Sequence, residues 1–166
     1  MLGCSVAEQK RMARVGDPIT ILLVDDDSDC RLLIHEAISQ CRISNQVYEV
    51  ENGQEALDFV FQRGSYAGMP RPGLIYLDIE MPGISGQEVL RTIKSSPQHR
   101  DIPVVMMTGV SDAAQMEEAA RNGANSYTIK PANAEQFLKT VLASTNYWMT
   151  IHQYPDHHLA AEECRR

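Results

Sequence analysis

Five short strand-like segments alternate with five amphipathic segments along most of this chain, and this alternation limits the fold more than any other feature. The strand-like segments lie at residues 20–24, 47–50, 74–77, 103–107 and 126–129, and those at 20–24, 74–77 and 103–107 are runs of mainly apolar residues. Short runs without a polar face are typical of strands that are buried on both sides in a parallel sheet. The segments between them show the three-and-four-residue spacing of amphipathic helices. The alternation predicts an α/β fold with a doubly wound, five-stranded parallel sheet and helices on both of its faces.

The second run, residues 47–50, mixes polar and apolar side chains more than the others do. A mixed strand suits the edge of a sheet, so we expect the flavodoxin-like order 2-1-3-4-5, with strand 1 beside strand 3. That order opens a crevice beyond the carboxyl ends of strands 1 and 3, where open α/β sheets bind their ligands.

Length and charge limit the domain count and the classes of partner. The 166 residues suit one domain, which we expect to span residues 18–146. A flexible arm is expected at residues 1–17 and a C-terminal extension, which is a candidate dimer contact, at residues 147–166. The extension is too short for an output module, so the chain is expected to act through protein contacts. A net charge of −7 argues against binding to nucleic acid.

The four cysteines lie far apart and form no CxxC pair. Cys30 and Cys41 follow the apolar stripe of a predicted helix, so we expect buried free thiols and a cytoplasmic location. No run is long enough to span a membrane, and the N-terminal residues lack the apolar segment of a secretory signal.

Polar side chains end four of the five predicted strands: Asp25 with Asp26, Asp78, Thr108 and Lys130. The carboxyl ends of parallel strands share one edge of the sheet, so we expect these groups to converge. Three neighbouring carboxylates repel one another unless a cation is present, and oxygen ligands are those that Mg²⁺ prefers. A lysine and a hydroxyl beside them favour a phosphoryl group, which a carboxylate can accept as a nucleophile.

This set of residues resembles the receiver domain of bacterial two-component response regulators. The resemblance lies in the pair Asp25-Asp26, in Asp78 within the sequence LDIEMPG, and in the pairs Thr108-Gly109 and Lys130-Pro131. The resemblance covers about residues 18–146. It implies that Asp78 accepts a phosphoryl group from the phosphohistidine of a sensor histidine kinase. The chain would then be a signalling switch that hydrolyses only its own phosphoryl group, and not a turnover enzyme.

The resemblance also implies a Mg²⁺ site. Asp26, Asp78 and the main-chain carbonyl of Glu80 would bind the ion directly, and Asp25 would bind it through water. The triple aspartate leaves one alternative open. Asp27 is expected to cap the following helix, but a register shifted by one residue would make it a ligand instead.

Other roles follow from the same resemblance. Lys130 and Thr108 would contact the phosphoryl group, and Tyr127 matches the aromatic residue that rotates inward on activation. The Lys130–Pro131 peptide bond is expected to be cis, as is typical of the family. Gly109, Val110 and Pro131 would flank the site. Of these, Val110 would act together with Glu80 to tune the rate at which the acyl phosphate hydrolyses.

Two features outside the common motif resemble the single-domain response regulators associated with phytochromes, which dimerise with help from a C-terminal extension. They are the insertion at residues 63–73 and the pair Tyr147-Trp148. The partners implied are a sensor histidine kinase, with a bacteriophytochrome as one candidate, a second copy of the chain, and a phosphotransfer protein. Alternatively, Tyr147, Trp148 and Ile151 cover the domain's own edge.

Three further interpretations stay open at this stage. Asp78-x-Glu80 loosely resembles the DxD motif of haloacid-dehalogenase-type phosphatases, although their nucleophile follows the first strand. A receiver that no longer takes phosphate would be a binding module, and the intact motif argues against it. Five residues near the C-terminus could be read as a metal cluster: His152, Asp156, His157, His158 and Cys164. Their spacing is irregular, so a solvated tail suits them better.

Overall fold

The computed structural model describes residues 18–41 and 44–150, in which strands and helices alternate as the sequence predicts. The strands are β1 (Thr20–Val24), β2 (Gln46–Val50), β3 (Leu74–Asp78), β4 (Val104–Thr108) and β5 (Ser126–Ile129). The helices are α1 (Ser28–Ser39), α2 (Gly53–Val60), α3 (Gly86–Ser95), α4 (Ala113–Arg121) and α5 (Ala134–Thr150). None of these helices is long and apolar enough to cross a membrane.

All five strands are parallel, and their order is β2-β1-β3-β4-β5. The predicted doubly wound fold and the edge position of β2 are therefore confirmed. Strands β1 and β3 are direct neighbours, and Val24 is paired with Leu77. The next residues, Asp25 and Asp78, consequently lie side by side at the carboxyl edge of the sheet.

Two apolar clusters cover the two faces of the sheet. Side chains alternate along β1, so Leu22 and Val24 pack with helices α2, α3 and α4, while Ile21 and Leu23 pack with α1 and α5. These four side chains are at most 1% exposed. Burying one such side chain stabilises the fold by about 1.5–3 kcal/mol, so the strands are held firmly on both faces.

Helix α5 is longer than its apolar pattern predicts and continues through Tyr147 and Trp148 to Thr150. Trp148 is 5% exposed and belongs to the cluster beneath α1 and α5, whereas Tyr147 is 46% exposed. Asn45 donates a hydrogen bond to the Met149 sulfur at 3.0 Å. Trp148 therefore covers the domain's own core, and Tyr147 faces outward. Ile151 and the tail histidines lie outside the described residues.

The insertion at residues 63–73 is fastened to the amino end of the sheet, away from the strand ends that carry the polar residues. It begins with a short 3₁₀ helix, Gly64–Tyr66, and the Tyr66 ring packs against Phe59 with centroids 5.6 Å apart. Arg71 pairs with Asp101 at 2.7 Å in the loop between α3 and β4. The insertion thus contributes to packing at the base of the domain.

Both described cysteines are free. Cys30 is buried in the first turns of α1, as expected, whereas Cys41 follows the end of the helix and is only half-buried. Burial raises the pKa of the Cys30 thiol to about 12, and the neighbouring Asp25 carboxylate adds to this effect. The thiol is therefore neutral at physiological pH.

Candidate functional site

Three carboxylates meet at the carboxyl ends of β1 and β3. Asp25 follows β1 directly and is 2% exposed, and Asp78 is the last residue of β3 and is 6% exposed. Asp26 is exposed at the rim. One carboxylate oxygen from each of the three residues lies within 4.8 Å of the others. The structure thus brings together three of the groups that the strand ends predict.

The third member of the triple aspartate, Asp27, has a different task. Its side chain caps α1 by accepting hydrogen bonds from the main-chain nitrogens of Asp29 at 2.9 Å and Cys30 at 3.4 Å. Its own main-chain nitrogen donates to Asp25 Oδ1 at 2.9 Å. Asp27 therefore stabilises the helix and orients Asp25, and it lies outside the carboxylate cluster.

Lys130, which directly follows β5, connects the two buried carboxylates. Its Nζ lies 2.6 Å from Asp25 Oδ2 and 3.1 Å from Asp78 Oδ1. Burial lowers the pKa of Lys130. The hydrogen bond and charge of Asp25 and the charge of Asp78 raise this pKa by more than burial lowers it, so the net shift is upward. The ammonium group is charged across the physiological pH range and neutralises part of the acidic cluster.

The charged form of the Asp78 carboxylate is destabilised despite the nearby Lys130. Burial raises the pKa of Asp78 from 3.8 to about 6, Lys130 opposes the rise, and Asp25 and Asp26 add to it. A single ammonium group thus does not compensate for burial and two neighbouring carboxylates. The clustered oxygens and the raised pKa fit a hard divalent cation, which prefers oxygen ligands and stabilises the charged form of each carboxylate.

Thr108 is the last residue of β4, and Tyr127 lies in the neighbouring strand β5, where it is paired with Met106. Thr108 is fully buried, and its Oγ1 accepts a hydrogen bond from the Val110 main-chain nitrogen at 3.3 Å. The Tyr127 hydroxyl is buried without a hydrogen-bond partner among the described residues. Burial raises the pKa of Tyr127, and Thr108 opposes the rise, so the side chains are neighbours although their hydroxyls make no hydrogen bond of normal geometry. An unpaired buried hydroxyl costs about 1–3 kcal/mol and is a candidate to rearrange.

The rim of the site is open to solvent. Glu80, Gly109 and Val110 are exposed, and a Cβ atom added to Gly109 would have no neighbour within 4 Å. Ile79, between Asp78 and Glu80, is buried in the core and anchors this segment. The residues on either side of the carboxylate cluster therefore leave its rim uncovered.

The prediction of a cis peptide bond between Lys130 and Pro131 is wrong, because every peptide bond in the described part of the chain is trans. The trans form of an X–Pro bond is favoured by about 0.5–1 kcal/mol unless neighbouring contacts select the cis form. Here the trans chain already lets the Lys130 nitrogen donate to the Thr108 carbonyl at 2.7 Å, and lets Lys130 Nζ reach both aspartates.

Two residues, Gly86 and Arg31, support the main chain of the site, and the sequence did not predict this role for either of them. A Cβ atom on Gly86 would collide with the main-chain carbonyl of Asp78, so only glycine lets α3 begin against the end of β3. Arg31 donates a hydrogen bond from Nη1 to the main-chain carbonyl of Asp25 at 2.7 Å. A glycine directly after a turn is a local signal that could have identified Gly86, whereas nothing near Arg31 in the sequence indicates its partner.

Comparison with known proteins identifies the class. The sequence profile of the response regulator receiver domain matches residues 21–142, and the chain belongs to this family. A probable methanogenesis regulatory protein, FilR2 of Methanothrix harundinacea, is 34% identical over 140 residues, which are 84% of this chain and 89% of that protein.

Within the family, the chain is similar to phytochrome-associated response regulators. The phosphorylated cyanobacterial phytochrome response regulator RcpA has a TM-score of 0.81 and 33% identity, over 83% of this chain and 99% of that one. The Mn²⁺-bound form of response regulator Rcp1 has a TM-score of 0.80 and 31% identity over the same shares. By sequence, Rcp1 of Synechocystis is 32% identical over 132 residues, which are 80% of this chain and 90% of that protein.

Proposed function

We propose that Asp78 accepts a phosphoryl group from the phosphohistidine of a sensor histidine kinase, and that the reaction depends on Mg²⁺. The observation that carries this proposal is the placement of one ammonium group, that of Lys130, between the buried carboxylates of Asp25 and Asp78. The ammonium group and a cation on the acidic side would together neutralise the incoming phosphoryl oxygens.

Asp26, Asp78 and the Glu80 main-chain carbonyl would hold the Mg²⁺ ion directly, and Asp25 through water. Asp25 already accepts hydrogen bonds from Lys130 and from the Asp27 main-chain nitrogen, which supports an indirect role for it. The solved Mn²⁺-bound form of Rcp1 supports a divalent cation in a related protein. When bound, the ion would offset the charge repulsion that raises the pKa of Asp78.

Besides the Mg²⁺ ion, the transfer step uses only the donor and groups at this edge of the sheet. A carboxylate oxygen of Asp78 attacks the phosphorus atom, a P–O bond forms, and the P–N bond to the donor histidine breaks with its electron pair returning to the imidazole. Lys130 would exchange its contact with Asp78 for one with a phosphoryl oxygen. Thr108 would donate its hydroxyl hydrogen to another phosphoryl oxygen, and its Oγ1 already accepts a hydrogen bond from the Val110 main-chain nitrogen.

Movement of Thr108 would carry the signal to the surface. Tyr127 adjoins Thr108, and its buried hydroxyl has no hydrogen-bond partner among the described residues, so its position would respond to that of Thr108. A shift of this ring would reshape the surface formed by α4 and β5. The chain would thus be a phosphorylation-controlled switch rather than a turnover enzyme.

The partners follow from this role and from the relatives. A sensor histidine kinase is the donor, and the likeness to RcpA supports a bacteriophytochrome as a candidate. Tyr147, exposed at the end of α5, supports a contact between two copies of the chain. A phosphotransfer partner, the absence of nucleic acid from the partners, the cytoplasmic location and the domain division at residue 146 stay predictions.

Incubation with acetyl phosphate and Mg²⁺, followed by intact-mass measurement, tests the proposal. We expect one phosphoryl adduct on the wild-type protein and none on Asp78→Asn or without Mg²⁺. Asp27→Asn is the matched control, because asparagine caps a helix about as well as aspartate and Asp27 lies outside the cluster. No adduct on a wild-type protein that binds Mg²⁺ would favour a phosphate-independent binding module, and steady phosphate release from monoesters would favour a hydrolase.

A further inference from the structure

We propose that Arg31 is a positioning residue for the acidic pair: its guanidinium fixes the main chain at Asp25 and thereby sets the affinity of the site for its divalent cation. This inference rests on the proposed function. It assigns a role to a side chain that would make no contact with the ion or the phosphoryl group.

The burial of Arg31 is the first observation. The residue lies in α1 and is only 8% exposed, although arginine on an amphipathic helix is mostly exposed unless it is paired. Side chains on a helix point back towards its amino end, and this direction brings the Arg31 guanidinium to the end of β1. There Nη1 donates to the Asp25 carbonyl at 2.7 Å in a buried hydrogen bond.

The remaining nitrogens of the guanidinium are held by β2. Nε donates to Glu49 Oε2 at 3.2 Å, and Nη2 donates to Glu51 Oε1 at 2.8 Å. Glu49 lies near the end of β2 and Glu51 directly follows it. The planar group therefore uses all three of its nitrogens to join the carboxyl end of β2 to the main chain at the end of β1, a geometry that the point charge of lysine cannot reproduce.

These contacts decide where the Asp25 carboxylate points. The Asp25 nitrogen donates to the Val50 carbonyl at 3.3 Å, and its carbonyl is held by Arg31, so both main-chain groups are engaged on the β2 side. The carboxylate then faces Lys130 and the Asp27 nitrogen. Asp26 is the next residue, so its main chain starts from the same fixed carbonyl.

A purely structural tie between α1 and β2 is the competing explanation. Loss of such a tie would lower the free energy of unfolding and leave cation binding by the folded protein unchanged. A positioning role predicts weaker cation binding by folded protein, because freedom at the Asp25 carbonyl loosens two of the three clustered carboxylates.

The test measures Mn²⁺ affinity by electron paramagnetic resonance and, separately, the unfolding of each variant by urea. We expect Arg31→Met and Arg31→Lys to bind Mn²⁺ at least about tenfold more weakly than the wild type, the range typical for lost supporting contacts around a metal site. The double variant Glu49→Gln/Glu51→Gln keeps the hydrogen bond to Asp25 and should lose less affinity. Arg91→Met, which removes an exposed arginine from α3, is the matched control.

Wild-type affinity in folded Arg31→Met would overturn the proposal, and so would wild-type affinity in Arg31→Lys if the methionine variant does not fold. A wild-type protein that binds Mn²⁺ but takes no phosphoryl group would contradict the proposed function alone, since the affinities still decide the role of Arg31. A wild-type protein that binds no Mn²⁺ would overturn both.

Discussion

Lys130 Nζ lies closer to Asp25 than to Asp78, at 2.6 Å and 3.1 Å. The lysine is thus held mainly by the carboxylate that is proposed to bind the cation only through water. Asp78 has the longer of the two contacts, so the oxygen that is proposed to act as the nucleophile separates from Lys130 more easily. Lys130 can remain anchored on Asp25 while it moves towards an incoming phosphoryl group.

Replacement of this lysine should therefore affect both folding and cation dependence. Lys130→Met leaves two buried carboxylates unpaired, and breaking a buried ion pair costs about 3 kcal/mol or more. We expect this loss in urea unfolding without divalent ions and a partial recovery when Mg²⁺ is added. Equal stability of variant and wild type without Mg²⁺ would show that the ion pairs contribute nothing.

The raised pKa of Asp78 predicts a specific pH dependence. Its carboxyl has a pKa of about 6 in the folded protein against an ordinary value of 3.8, so the folded state binds this proton more tightly. Without Mg²⁺, the stabilisation that comes from the protonated carboxyl is present in full below the ordinary value and is lost as the pH rises towards 6. Asp78→Asn should consequently melt at a higher temperature than the wild type at pH 7.5, and the gap should shrink towards pH 4.

Thermal melts across this pH range check the prediction. A wild-type protein that melts above the Asp78→Asn variant at pH 7.5 without metal would contradict it. Addition of Mg²⁺ should narrow the gap by raising the melting temperature of the wild type, because a ligand that binds only the folded state stabilises it.

The sequence predicted the architecture and the meeting of the carboxylates and Lys130 at the strand ends, because these depend on local patterns. Residues such as Leu77 and Asp78 carry their own signal, an apolar run that ends in an acid. Arg31 carried no comparable signal, since its side-chain partners lie 18 and 20 positions away. Serine, threonine and asparagine are poor helix formers, so residues 144–146 favoured an end to α5, but burial of Trp148 outweighs that propensity.

Gly86 should be far less tolerant of substitution than Gly109. Gly86→Ala places a methyl group against the Asp78 carbonyl and the Ile79 Cα, so α3 must shift at a cost of about 1–3 kcal/mol. Gly109→Ala adds the same methyl group where nothing lies within 4 Å, so its stability should change by less than about 0.5 kcal/mol. Urea unfolding of the two variants measures the difference, and equal costs would contradict the close approach of α3 to β3.

Two tyrosines with buried hydroxyls offer a paired test of hydrogen bonding. The Tyr76 hydroxyl in β3 lies 2.7 Å from Thr145 Oγ1 and 3.1 Å from Ser144 Oγ, which fastens α5 to the sheet, whereas the Tyr127 hydroxyl has no partner among the described residues. Tyr76→Phe leaves the buried Thr145 hydroxyl without this partner and should destabilise the protein by about 1–2 kcal/mol.

Tyr127→Phe removes a hydroxyl that has no hydrogen-bond partner among the described residues, so it should leave the unphosphorylated protein unchanged or slightly more stable. The comparison uses urea unfolding of both variants without Mg²⁺. A loss in Tyr127→Phe as large as that in Tyr76→Phe would show that the Tyr127 hydroxyl is satisfied and is not poised to follow Thr108.

The most direct test of the central claim is to locate the phosphoryl group among the clustered carboxylates. Borohydride reduces an acyl phosphate to an alcohol and so converts a phosphorylated aspartate to homoserine, which peptide mass spectrometry can place in the sequence. After incubation with acetyl phosphate and Mg²⁺, we predict homoserine at position 78 and unchanged aspartate at positions 25, 26 and 27. Homoserine at any of those three positions, or a phosphoryl adduct that leaves position 78 as aspartate, would contradict the assignment of Asp78 as the acceptor.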